Sequence, residues 1–216
     1  ITFEDALGTF TKLKDEGKLT CRIFTRWPIS DYKSLVEKNI KIGYGDEYIK
    51  MGSLKGFADG SLGSSTAWFF ERYNQDTTTT GLPMDIITDG SMEKWALVAY
   101  NNYLQLSVHA IGDRANSYML DLYDKISKQN PKWDRRFRIE HAQHVRFEDI
   151  KRFKELGVIA SVQPYHCIDD GVWAEKRIGP ERIKYTYPFK SFLDAGVKLC
   201  FGTDWYVAPL NPLLGI

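Results

Sequence analysis

Residues 104–141, LQLSVHAIGDRANSYMLDLYDKISKQNPKWDRRFRIEH, decide the architecture. Two β-rich runs, Leu104–His109 and Phe137–His141, flank a helical stretch over 113–128, and each run ends on a histidine. Strand, helix and strand in that order imply parallel strands joined by a right-handed crossover. The alternation continues in both directions. Upstream, 48–59 reads as a strand and 91–102 as a helix. Downstream, helix 146–156, stopped by Gly157, leads to strand Val158–Val162. A helix over 187–195, stopped by Gly196, leads to strand Val197–Phe201. At the start of the chain, Phe3, Ala6, Leu7, Phe10 and Leu13 recur at helical spacing over 2–17, with Thr2 and Asp5 as a cap and Gly17 as a stop. Leu19–Thr25 is a short β-rich run closed by Pro28, and Ser30 caps a helix carrying Leu35 and Val36 that ends near Asn39.

The pattern is therefore α/β, with six strands each separated from the next by a helix or a helix-length loop. An open doubly wound sheet and a (β/α)8 barrel both fit. No GxGxxG follows a strand, which removes the main signature of a dinucleotide-binding sheet. Two long irregular stretches, 60–88 and 163–186, follow strand C-termini, where a barrel builds its active site. No internal repeat or low-complexity tract interrupts the chain.

Apolar residues make up 43% of the 216 and charged residues 26%, an ordinary globular balance. The 29 basic residues nearly match the 28 acidic ones, and no block of like charge occurs. The expected partners therefore include neither nucleic acid nor an anionic membrane. There is no apolar run of the ~18 residues a membrane span needs. Cys21, Cys167 and Cys200 are too widely spaced for a disulfide framework or a zinc knuckle. Read as unpaired thiols, with Cys200 buried in its strand, they lean toward a reducing, cytoplasmic compartment.

His109 and His141 end successive strands, Asp204 lies just past the last one, and Lys55 lies near the end of an earlier one. In a barrel these positions converge on one rim. Neutral imidazoles and a carboxylate are donors for zinc and similar ions. Each also has a bland reading, since a strand-end histidine is more often structural than ligating. His144 reads as structural, and Trp68, Phe69 and Phe70 as packing residues or as the wall of an apolar pocket.

Longer motifs narrow the choice. Lys55-Gly56-Phe57-Ala58-Asp59-Gly60-Ser61-Leu62-Gly63-Ser64-Ser65-Thr66-Ala67 resembles the K-x-F-x-D-G-x-L-G-S-x-T-A stretch of the amidohydrolase branch that includes N-substituted formamide deformylases. Val108–Ala115 resembles its V-H-A-x-G-D-x-A segment and Arg138–Gln143 its R-I-E-H-A-Q segment. Ser161-Val162-Gln163-Pro164 and Gly202-Thr203-Asp204 match the last two strand ends, all in the family's order.

The resemblance implies a metal-dependent (β/α)8 barrel of TIM type, of which this chain supplies about strands three to eight, as part of a single domain. It implies His109 and His141 as metal ligands at strands five and six. Asp204, at strand eight, is implied as both ligand and catalytic base. Lys55 falls where members often carry a carbamylated lysine bridging two metals; its alternative is an unmodified charge partner for Asp59. His166, Asp59 and Arg114 are implied as substrate-contacting or loop-orienting residues. The implied cofactor is one or two divalent ions, zinc first, with iron and manganese open. The implied substrate is a small amide or N-substituted formamide.

The chain departs from the family in having no H-x-H. By the match, barrel strands one and two, the last helix and the flanking β-sandwich are not represented. Six strands would leave two open edges, so the piece is expected to rely on the remainder of its own chain, with a homo-oligomer as a further option. A non-catalytic scaffold of the same fold, and a cyclic-imide hydrolase or deaminase, are the competing functions.

Overall fold

The computed structural model describes residues 3–129 and 132–215. Helix α1 (Phe3–Asp15) leads to β1 (Ile23–Pro28), a 3-10 turn over Ile29–Asp31 and α2 (Tyr32–Glu37). Then come β2 (Ile49–Phe57), α3 (Asp85–Thr88), α4 (Ser91–Asn101), β3 (Gln105–Ala110) and α5 (Asp113–Gln129). They are followed by β4 (Arg138–His141), α6 (Phe147–Leu156), β5 (Ile159–Val162), α7 (Pro164–Gly171) and α8 (Ala174–Arg182). The chain ends with α9 (Phe189–Asp194), β6 (Leu199–Phe201) and a 3-10 turn over Pro212–Gly215. All six strands pair in parallel, in chain order from β1 to β6. The sheet curls into part of a TIM-type barrel, with β1 and β6 as its edges.

Side chains alternate across a strand with period two, and this sorts the sheet into two faces. Leu54, Leu106, Val108, Ala110, Ile139, Ala160 and Val162 join one core with Met119, Leu120, Tyr123, Phe153 and Phe192 of the surrounding helices. The intervening positions Ser53, Gln105, Ser107, His109, Glu140 and Ser161 are equally buried but polar. They line the concave face. There Ser107 Oγ donates to Glu140 at 2.6 Å, and Arg26 pairs with the same carboxylate at 3.0 Å. Burial alone would raise the Glu140 pKa, but Arg26, two hydroxyls and Lys55 outweigh it and hold the carboxyl below its usual range.

Three expectations need correction. The first strand begins at Ile23, not Leu19, because the amides of Lys18 and Leu19 both bond Leu13 O and complete the end of α1. Gly17 makes that stop at φ +68°, while the expected cap Thr2 lies outside the described residues. Stretch 163–186 is largely helical, not irregular. Its periodicity is hidden by a break at Gly179 (φ 82°, ψ 171°) ahead of Pro180. The third concerns Cys200, which is only half-buried, because β6 is an edge strand whose Phe201 is exposed. Among the described residues the cysteines are unpaired, and no helix is long and apolar enough to cross a membrane.

Leu106 is fully buried in β3, between sheet and helices. Truncating it to alanine should cost about 2–5 kcal/mol, read as a shift in the denaturant midpoint at unchanged slope.

Candidate metal centre

The strand register builds a layer at the C-terminal rim. Phe57 lies opposite His109, His109 opposite Glu140, Glu140 opposite Ser161, and Ser161 opposite Cys200. His109 therefore reaches the concave face by ordinary alternation, and so does Lys55, two residues before Phe57. His141 does not. Its parity is that of Ile139, which faces the helices. The backbone breaks the alternation there, with His141 at φ +74° and Ala142 at φ +42°. Left-handed non-glycine residues cost about 1–3 kcal/mol each and concentrate at functional sites. The turn places the His141 imidazole in the rim cavity, where its Nδ1 donates to Gln163 Oε1 at 2.7 Å. Asp204 is also left-handed, at φ +58°.

The cavity measures about 620 Å³ and is lined by Lys55, His109, His141, His166 and Asp204 together with Phe57, Gln143, Asp170, Trp173 and Tyr206. Lys55 and Asp204, far apart in sequence, thus share one wall. Among the described residues, His141, His166 and Asp204 each offer a donor atom within 4.8 Å of the others, close enough that small side-chain movements would let them share one ion. His109 stands beside this trio, its ring centroid 4.6 Å from that of His141. Its Nε2, however, donates to Gly60 O at 2.8 Å and lies 3.4 Å from Asp59 Oδ1.

The electrostatics suit a cation. Burial, then the neighbouring His109, Lys55 and His166 charges, holds the His141 pKa well below the usual imidazole value. His141 is thus neutral at neutral pH. With Nδ1–H committed to Gln163, its Nε2 carries the lone pair, the tautomer a metal needs. Burial pushes Lys55 down to about 8, opposed by the carboxylates of Glu140 and Asp204. The charges acting on it are those of Glu140, Arg26 and Asp204; Asp59 is not among them.

Asp59 and Arg114 lie outside the cavity lining. The Asp59 carboxylate is buried and accepts three backbone amides: Ile111 at 3.0 Å, Gly112 at 2.8 Å and Trp68 at 2.8 Å. Trp68 O in turn accepts the amides of Arg114 and Ala115. A Cβ at Gly112 would come within 2.1 Å of Trp68 O, so only glycine fits. The Arg114 guanidinium covers the Trp68 ring at 4.6 Å. Phe69 is fully buried in a separate small core with Tyr73, and Trp68 is half-buried under Arg114, so both pack and neither lines the pocket. The two longest motifs are thus tied into one knot that carries the 60–88 loop. His144 is sealed inside, Nδ1 at 2.8 Å from Thr186 Oγ1, and burial lowers its pKa to about 3.

Sequence reading missed the polar wall beside the candidate ligands. Asp170 Oδ2 accepts Gln143 Nε2 at 2.6 Å and Tyr187 Oη at 2.5 Å, and burial raises its pKa. The signal was present in the spacing: Gln143 is two residues past His141, and Asp170 is one helical turn past His166 on α7.

A model of the amidohydrolase family matches residues 1–216. The chain belongs to the amidohydrolase family. It is 36% identical over 218 residues to the Arabidopsis thaliana protein LONG AFTER FAR-RED 3, covering all of this chain and 37% of that protein. It is 33% identical over 169 residues to the putative amidohydrolase YtcJ of Bacillus subtilis strain 168, covering 78% of this chain and 31% of YtcJ. Among solved structures it resembles an uncharacterized metal-dependent hydrolase from Pyrococcus furiosus, with TM-score 0.84 and 33% identity over 97% of this chain and 42% of that one. The Pyrococcus horikoshii counterpart gives TM-score 0.85 and 31% identity over 97% and 41%. The chain therefore spans between 31% and 42% of these amidohydrolase-family relatives.

Two measurements check this geometry. Asp59→Ala would leave three buried amides without an acceptor, and the loss should reach about 3 kcal/mol or more in a denaturant melt. Brief reductive methylation, read by mass spectrometry, should label Lys55 half-maximally near pH 8, because the reactive neutral amine accumulates only above its pKa of about 8. A midpoint at the ordinary lysine value would contradict the buried site.

Proposed function

We propose that this chain forms the catalytic part of a metal-dependent hydrolase that cleaves a carbon–nitrogen bond other than a peptide bond, in an amide or N-substituted formamide. The observation that carries this reading is the meeting of His109, His141, Asp204 and Lys55, remote along the chain, at one cavity on the C-terminal rim of a parallel sheet. Membership of the amidohydrolase family and likeness to two archaeal proteins described as metal-dependent hydrolases support it.

The donors suit a divalent ion, zinc first, with iron and manganese served by the same set. When bound, such an ion polarises the substrate carbonyl and brings the pKa of a water toward ~7. Each residue of the chain then has a task. His109 and His141 are the imidazole ligands, and Gln163 fixes the tautomer of His141 through its Nδ1–H. For His109 to bind, its Nε2 must release Gly60 O. Asp204 accepts the proton of the attacking water and returns it to the departing nitrogen. Lys55, with an amine largely neutral above pH 8, is suited to add carbon dioxide and release a proton to solvent, and the resulting carbamate would offer oxygen donors to a second ion. Phe57, Trp173 and Tyr206 supply apolar wall for the substituent on nitrogen.

The test uses the full-length protein, with metal analysis alongside hydrolysis of N-substituted formamides. Asp204→Asn should keep the fold and lower kcat by about 10²–10⁴-fold. Activity unchanged in that variant, or a preparation that hydrolyses the formamides equally well after its metal is stripped, counts against the scheme.

A further inference from the structure

We propose that His166 is a direct ligand of the ion in this cavity, a protein donor beside His141 and Asp204, and not a substrate contact. The inference rests on the metal reading of the same site and adds a residue to it from the turn after β5.

His166 Nε2 is sealed from solvent and has no hydrogen-bond partner among the described residues. A buried ring nitrogen without a partner is costly, and in native structures such an atom normally marks a missing partner. The nitrogen lies 3.8 Å from Asp204 Oδ2, too long for a hydrogen bond. It suits two atoms that share an ion, since donors at the ~2.0–2.1 Å of zinc–nitrogen and zinc–oxygen bonds lie about 3–4 Å apart. His141 completes the arrangement, with all three donors within 4.8 Å of one another. By contrast, the Nε2 of His109 already has Gly60 O as its partner.

The local structure holds the ring in place. Gln163 serves both imidazoles: its side-chain Oε1 accepts His141 Nδ1–H at 2.7 Å, and its carbonyl accepts the His166 amide at 3.2 Å. Pro164 starts α7 at the position where a missing N–H costs nothing, which sets His166 in the first turn. The two rings then stack, 6.0 Å apart and 15° from parallel. One glutamine thus fixes the separation of two neighbouring donors.

The experiment measures binding of cobalt(II) to the metal-stripped full-length protein, by equilibrium dialysis and by the visible absorption of the bound ion. Wild type, His141→Ala, His166→Ala and His166→Asn are compared. Loss of a partner that merely orients a ligand weakens binding by about 10- to 100-fold, so loss of a ligand itself should cost at least about 100-fold. Both His166 variants should reach that loss and alter the cobalt spectrum. Wild-type affinity with a wild-type spectrum in both overturns the assignment while leaving the metal reading intact. No cobalt uptake by wild type overturns the metal reading and this assignment together. If the variants fail to fold, a crystal structure of the cobalt-loaded wild type decides. An ion within about 2.3 Å of His166 Nε2 supports the assignment, and a longer distance rejects it.

Discussion

Each strand of a parallel sheet buried on both sides must send alternate side chains to opposite faces, and most of this molecule follows from that constraint. On β3 one set, Leu106, Val108 and Ala110, meets the helices, and the other, Gln105, Ser107 and His109, lines the concave face. The second set has to be polar yet satisfied, which explains why Glu140 collects Ser107 and Arg26. Burial on the same face keeps the Lys55 amine away from water and lowers its pKa, against the opposing pull of the Glu140 and Asp204 carboxylates. The place where alternation fails is correspondingly informative. Two left-handed residues at the end of β4 move His141 from the helix side to the rim. The turn seats Ala142 in the core and places the His141 imidazole one ring away from His109.

A division of labour follows between the motif residues. The Asp59 knot holds backbone to backbone, locking the start of the 60–88 loop to the turn after β3. The chemistry-bearing donors hang from that frame, on strand ends and the first turn of α7. Arg182 extends the frame to the far side: its guanidinium reaches Glu71 O and Arg72 O, so the two long loops brace each other.

Much of this was legible in the sequence because it depended on periodicity. The β3–α5–β4 unit, the six-strand count and the convergence of Lys55, His109, His141 and Asp204 all follow from strand and helix spacing plus the rule that barrel rims gather strand ends. The motifs tied these residues to the amidohydrolase family, to which the chain belongs. What stayed hidden depended on local backbone detail or on the third dimension. Helix α8 escaped notice because Gly179 and Pro180 interrupt its rhythm, and α7 because none of its residues is buried to mark an apolar face. For Asp59 and Arg114 the sequence left loop-orienting and substrate-contacting roles open, because the partners of Asp59 are backbone amides, which carry no sequence signature. The orphaned nitrogen of His166 is a property of packing alone.

His166 and Asp170 sit one turn apart on the same short helix, the first beside His141 and Asp204, the second bonded to Gln143 and Tyr187. Many enzymes diversify by exchanging rim segments wholesale while the chemistry stays on the scaffold. Here such an exchange of α7 would remove the inner and outer walls of the pocket together. The opposite bank, the 60–88 segment, is held largely through main-chain atoms, so altered side chains there leave the frame in place. A library aimed at new selectivity belongs there.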